Sequence, residues 1–313
     1  MRFPLRLLLT TFLLLAVPVA SSQSTAPMPD ANLTFTTIDV PGASITEITG
    51  INTAGDLVGF FGDNSSGPLS GFLYRGETFT YFDYPGETVT LPNGINDSGL
   101  IVGSATQNAS QRSSVVGFLY DGTTFTTFKD GNNQATYGYG INNAGLVVGA
   151  AGSLGTTRGF ELVNGNYRPV RFPGLYIYGL PNGINNQDII VGFTINGGEY
   201  DAYVYKNGKA RNIDVPGAIQ TTALGINDKG VIVGWYDLPS SNIYGFSLRN
   251  GKYISFSYPG AVATCANGVN ASGQVVGTYT YDYIAYHGFV TSPITAAAFE
   301  QPGCCENATA EGR

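Results

Sequence analysis

The chain reads as all-β, a six-bladed β-propeller of four-stranded antiparallel blades closed by an N-terminal strand, and three observations predict it. Gly-Ile-Asn or Gly-Val-Asn occurs six times, starting at Gly50, Gly94, Gly140, Gly183, Gly225 and Gly268. Nine residues after each of these glycines stands the glycine of a Val-Gly pair: Gly59, Gly103, Gly149, Gly192, Gly234 and Gly277. Between copies the same turn signals return as Asn-x-x-Gly, Asn-Gly and Pro-Gly. A period of about 40–45 residues means that each unit buries its apolar face only against its neighbours.

Residues 1–23 come first and read as an export signal: Arg2 and Arg6 precede an apolar run that ends in small residues. That run is too short to favour a membrane span. The propeller is expected over 33–303, with 304–313 as a C-terminal tail. Residues 35–39 read as a fourth strand placed ahead of the first full unit. Residues 294–300 compete for the same slot, but Ala296, Ala297 and Ala298 lack the side chains that strands favour. The N-terminal strand is therefore expected to close the ring.

Within a unit, the first strand ends at the Gly-Ile-Asn triplet. Asn-x-x-Gly then suits a type I turn completed by a left-handed residue. Asp188 replaces that glycine in the fourth unit, where strain is expected. A short strand ending in Val-Gly follows, then a loop, then a third strand opening on Gly-Phe or Ala-Tyr. A tight turn such as Asn164-Gly165, Asn207-Gly208 or Asn250-Gly251 leads into the fourth strand, which closes on Pro-Gly. A parallel solenoid shares such a period, but its strands are not joined by Asn-Gly hairpins.

One spacing varies. From the Val-Gly glycine to the third strand the interval runs from 10 to 14 residues, and connectors that tolerate length change on a rigid scaffold are where binding residues sit. These loops emerge on the same face as the connections between units. They carry the ligand-binding candidates Phe60 and Asp63; Tyr200 and Asp201; Trp235, Tyr236 and Asp237; and Tyr281, Asp282 and Tyr283. Rings beside carboxylates suit a sugar or a peptide. The competing reading is that aromatic residues at strand ends pack between units.

Composition narrows the partners. When the signal leaves with two arginines and no acids, the formal charge moves from −7 to −9. Such a surface repels phosphate backbones and anionic lipids, so neither nucleic acid nor a membrane is an expected partner, and the mature chain is expected to be a monomer. Sequons at Asn32, Asn64, Asn96, Asn108, Asn270 and Asn307 would matter only in a glycosylating pathway. Cys265 is expected to pair with Cys304 or Cys305, tying the tail to the last unit, with unpaired thiols as the alternative; three cysteines do not build a four-cysteine zinc site. The single histidine, His287, coincides with a repeat position, and no serine or cysteine beside it marks a nucleophile. No catalytic residue, metal or cofactor is assigned.

Aligned across the units, Gly-Ile-Asn-x-x-Gly, Ile/Val-Val-Gly and Gly-Phe-Leu-Tyr-x-x-Gly make residues 35–303 resemble the bacterial extracellular repeat proteins of the HAF family. Tyr286-His287-Gly288-Phe289 comes nearest to that family's His-Ala-Phe signature. The resemblance implies export and a repeat-built β scaffold, and carries no activity over to particular residues. The expected function is a binding or structural module outside the cytoplasm, secreted or periplasmic. The alternative is a propeller glycosidase or polysaccharide lyase using loop-face carboxylates.

Overall fold

The computed structural model describes residues 33–107, 115–130, 135–152, 157–170, 179–239, 242–300 and 305–306. The expected export signal lies outside the described residues. Four sheets have four antiparallel strands each. The first holds β2 (Ile45–Ile51), β3 (Leu57–Gly62), β4 (Ser70–Arg75) and β5 (Thr78–Phe82); the second β6 (Val89–Ile95), β7 (Ile101–Thr106), β8 (Val116–Tyr120) and β9 (Phe125–Phe128). The third holds β10 (Thr136–Ile141), β11 (Val147–Ala151), β12 (Arg158–Val163) and β13 (Asn166–Pro169); the fourth β14 (Gly179–Ile184), β15 (Ile190–Asn196), β16 (Glu199–Lys206) and β17 (Lys209–Asn212).

A nine-stranded mixed sheet holds the rest: β18 (Gln220–Ile226), β19 (Ile232–Asp237), β20 (Ile243–Arg249), β21 (Lys252–Phe256), β22 (Ala263–Val269), β23 (Val275–Thr280), β24 (His287–Thr291), β1 (Phe35–Ile38) and β25 (Cys305–Glu306). Its two halves are joined by one parallel pair, Ile243 with Ala263. The same parallel bridge recurs in isolation between Leu69 and Val89 and between Ile45 and Tyr286.

The place beside β24 is taken by β1, in antiparallel register from Phe35 opposite Thr291 to Ile38 opposite Gly288. Residues 296–300 form a 3₁₀ turn with Phe299 buried, as expected of an alanine run that offers no β-branched surface. The tail contributes a little order of its own, since Cys305 pairs with Tyr253 at the outer edge of β21.

The motif glycines have a packing reason. In the second strand of each unit, Gly59, Gly103, Gly149, Gly192, Gly234 and Gly277 stand opposite Phe72, Phe118, Phe160, Tyr203, Phe246 and Phe289 of the third. A Cβ on Gly234 would lie 1.9 Å from the Thr222 carbonyl oxygen and 2.8 Å from the Phe246 ring. The missing side chain is what lets the ring lie flat on the sheet. Phe72, Phe118, Phe246 and Phe289 are completely buried.

The innermost strands β2, β6, β10, β14, β18 and β22 each carry a bulge directly before Gly-Ile-Asn. Beyond it the glycines of neighbouring units come together. A Cβ on Gly50 would be 3.1 Å from the Gly94 Cα, one on Gly225 3.0 Å from Gly268, and one on Gly268 3.5 Å from Gly50. The asparagines that follow run a hydrogen-bond circuit. Asn52, Asn96, Asn142, Asn185 and Asn227 each donate Nδ2 to the next unit's asparagine carbonyl, at 2.9 to 3.4 Å. Most of their Oδ1 atoms accept backbone N–H groups of their own turns, as Asn227 does from Lys229 and Val231. The circuit stops at Asn270, whose Nδ2 turns to Gln274 instead. Asp188 adopts the left-handed conformation at φ 56° and accepts a bond from Asn142 Nδ2 at 3.1 Å.

Candidate functional site

Both ends of the axis around which the innermost strands gather are lined by known side chains. Midway lies a cavity of about 70 Å³ walled by Thr49, Asn93, Tyr139, Asn182, Leu224 and Asn267 and the glycines beyond them. A second, of about 80 Å³, opens at the turn end between the asparagine circuit and Asp97, Asn143, Asn186 and Asp228. No carboxylate is among the described lining residues of the first. In the second, Asp97 and Asp228 already accept backbone N–H groups from Thr53 and Asn186 and amide N–H from Asn143 and Asn186. The first cavity thus holds no acid for glycoside hydrolysis, and both acids of the second are engaged in bonds to the scaffold.

Toward the loop end the axis is filled. Tyr139 and Leu224 also belong to an apolar cluster with Tyr137, Leu180, Trp235 and Cys265, against which Tyr283 packs. Glu47 is completely buried, and its charge helps to raise the Cys265 thiol, which burial already pushes well above its usual range. Burial likewise pushes up the Tyr283 hydroxyl, with Cys265 and Asp237 adding to it.

Tyr283 sits in a loop that the sequence builds deliberately. Thr280 Oγ1 accepts the N–H of Asp282 and Tyr283, and Asp282 Oδ1 accepts those of Ile284 and Ala285. These bonds hold Tyr283 at φ 60°, a conformation a bulky residue rarely adopts. They also keep the Asp282 carboxyl below its usual range. The turn folds Tyr283 inward and leaves Tyr281 and Ile284 at the surface, 49% and 71% exposed.

Asp237 closes β19 opposite Gln220 and accepts its backbone N–H at 2.9 Å. Burial raises its carboxyl to about 6; the Gln220 N–H opposes this and nearby Glu199 reinforces it. Asp214 is raised to about 6 for the same first reason, while accepting the N–H of Ala202. Asp39 fills the equivalent role before β2, accepting the N–H of Gly288 and a 2.7 Å bond with His287 Nδ1. His287 lies between Asp39 and the stacked rings of Tyr279 and Tyr258.

The sequence-based site splits on inspection. Trp235, Tyr236, Tyr200 and Phe60 are 1%, 0%, 4% and 0% exposed, so they are packing residues and not a ligand-facing surface. Trp235 meets Tyr200 edge-on, and Tyr236 bonds Ser255 Oγ at 2.6 Å. All four stand inside strands β3, β16 and β19; Trp235 and Tyr200 share one apolar cluster with Leu180, and Phe60 packs with Val89 and Leu91 of the next unit. Tyr281, Asp282 and Asp63 are exposed, Tyr283 and Asp201 are half-buried, and Asp237 is buried just below the rim. Asp63 belongs to the β3–β4 loop of the first unit. Sequence reasoning missed Gln220, Glu199, Glu47 and Ile284, none of which stands in a repeated motif. The expected tie of Cys265 is also corrected: its thiol is free and buried on an innermost strand. Cys305 lies against the outermost strand β21, and a disulfide needs Cα atoms within about 7 Å. Cys304 is outside the described residues.

Neither a protein-family model nor a curated protein matches the chain. Solved structures of similar fold include TolB from Acinetobacter baumannii, with a TM-score of 0.54, 11% identity, and 75% of this chain covering 63% of that one. The chain thus spans under two thirds of that relative's length. The SapL1 lectin, solved with alpha methyl fucoside, gives 0.53 at 10% identity, covering 81% of this chain and 97% of that one. A gluconolactonase from Xanthomonas campestris gives 0.51 at 12% identity, covering 88% and 97%. With the four-stranded sheets, these likenesses make the fold a β-propeller. No described helix is long and apolar enough to cross a membrane.

Proposed function

We propose that the chain is a six-bladed propeller, closed by β1, that is exported and binds a ligand on its loop end. Six blades follow if the Ile243–Ala263 pair is the same bridge between units as Leu69–Val89 and Ile45–Tyr286, dividing the nine-stranded sheet in two. Closure by β1 is supported by its register on β24 and by the Asp39–His287 bond. Export rests on residues 1–23 and on the HAF resemblance. The scaffold reading is favoured over a glycosidase or lyase because the midway cavity is lined without a carboxylate and Asp97 and Asp228 of the turn-end cavity are bonded to Thr53, Asn143 and Asn186.

One observation carries the binding reading: the β23–β24 loop holds Tyr283 in a strained conformation over the axial cluster while presenting Tyr281 and Ile284 to solvent. Strain kept in a surface loop by four side-chain bonds marks a functional position. A lectin is among the chains of similar fold, so saccharides belong in the ligand panel beside peptides. The test is a glycan array and a peptide library probed with the wild-type chain and with Tyr281→Ala. Loss of signal in the variant at an unchanged melting temperature supports the site; a ligand held equally by both removes it.

A further inference from the structure

Acidic charge gathers at one end of the molecule. Over the last three units and the first, the loop end carries Glu199, Asp201, Asp214, Asp237, Asp282 and Asp39, and among the described loops there no lysine or arginine. Its one basic group, His287, is bonded to Asp39. The opposite end of the same units is mixed, with Arg75, Lys206, Lys209, Lys229, Arg249 and Lys252 at the hairpins and turns beside Asp56, Glu77, Asp188 and Asp228. Arg211 stands apart on the outermost strand β17.

Beneath the acidic rim, β18 sets Gln220 and Thr222 directly across from Asp237 and Trp235 of β19. Strand alternation places these four side chains on one face of the sheet. Gln220 is 5% and Thr222 0% exposed. Neither Gln220 Oε1 nor Thr222 Oγ1 has a hydrogen-bond partner among the described residues. A buried amide oxygen without a donor is unfavourable, and proteins leave few of them. Here it sits in the same row as a carboxylate that burial makes reluctant to ionise.

Resting on the loop-end binding reading, we infer that this face takes a peptide segment whose lysine or arginine side chain enters beside Asp237, Glu199 and Gln220. The amide oxygen and the carboxylates only accept hydrogen bonds, so the incoming group must donate them, and the surrounding charge requires it to be cationic. Guanidinium and ammonium groups meet both conditions; a neutral hexose does not use the charge. Ile219, next to Gln220, and Ile284, next to Tyr283, are 44% and 71% exposed and suit apolar side chains flanking the cation, which separates a peptide from a free polyamine.

The test is a bead library of pentapeptides whose central residue is arginine, lysine, citrulline or glutamate, probed with the full chain at physiological salt. Arginine- and lysine-centred beads should be enriched about tenfold or more over citrulline, which keeps the shape of arginine without its charge. Asp237→Asn with Glu199→Gln should abolish the enrichment. Glu77→Gln with Glu300→Gln, which removes the same charge elsewhere, should keep it. Gln220→Leu should weaken capture without lowering the melting temperature, since it deletes an unsatisfied buried acceptor. Equal loss in both double variants, or no preference for the cation, overturns the inference. If neutral peptides or glycans bind in a Tyr281-dependent way, the site stands and the cationic class falls; if nothing binds, both fall.

Discussion

The two ends of the axis are made from the same six strands and behave in opposite ways. At the turn end five of the six repeats do the same thing, each asparagine amide donating to the next repeat's asparagine carbonyl. At the loop end the units differ. Loop lengths vary, a tyrosine is held left-handed, and buried Gln220 Oε1 and Thr222 Oγ1 have no hydrogen-bond partner among the described residues. A repeat that closes its own hydrogen bonds is scaffold, and departures from that economy mark where selection has acted on something other than stability.

The comparison breaks most visibly if the shared scaffold is struck. Gly234→Ala places a Cβ against the Thr222 carbonyl, where backbone and not a flexible side chain must yield, and Phe246→Ala empties the ring site above it. Each should cost about 3–5 kcal/mol and lower the melting temperature by roughly 10 °C, read by calorimetry. Next in size comes a matched pair of polar deletions. Asn227→Ala removes one donated and two accepted bonds and should cost about 2–4 kcal/mol. Thr222→Val, equally buried at the other end, should change stability by less than about 1 kcal/mol in denaturant titrations. Equal costs would erase the distinction between the ends.

Asp237 sharpens the contrast through pH. Its carboxyl is raised to about 6 in the folded chain, largely by burial, so the folded state holds its proton more tightly than the unfolded state does. Stability therefore falls as pH rises between about 4 and 6. Asp237→Asn imitates the protonated form and should stabilise the chain at pH 8 by about 1–3 kcal/mol. That gain should vanish at pH 4 in urea melts, and its persistence there would refute the burial effect. The smallest effect is expected from Tyr281→Ala, within about 0.5 kcal/mol for an exposed ring, with binding altered and the melt unchanged.

Much of this was legible in the sequence and some was not. Val-Gly and Gly-Phe could be read as strand ends, yet only register shows that glycine and ring are cross-strand partners. The strained Asp188 was readable from the glycine it replaces. Trp235 and Tyr200 misled because a strand end looks exposed until the neighbouring unit is placed over it. Gln220 and Glu199 leave no trace in a repeat pattern, since an unsatisfied buried oxygen and a carboxylate set near Asp237 are properties of three dimensions.

The interrupted asparagine circuit has a consequence for how such a molecule opens and grows. Asn270 turns back to Gln274, and Ala271 stands where Asp97, Asn143, Asn186 and Asp228 hold their neighbours. The join between the last and first repeats is held instead by Asn267 donating to the Ile48 carbonyl and by the Thr46 and Tyr286 N–H groups donating to the Tyr286 and Ser44 carbonyls. Amide exchange should accordingly be quickest along that boundary. An added copy of the module, by duplication or by engineering, would be accommodated there with the fewest severed links.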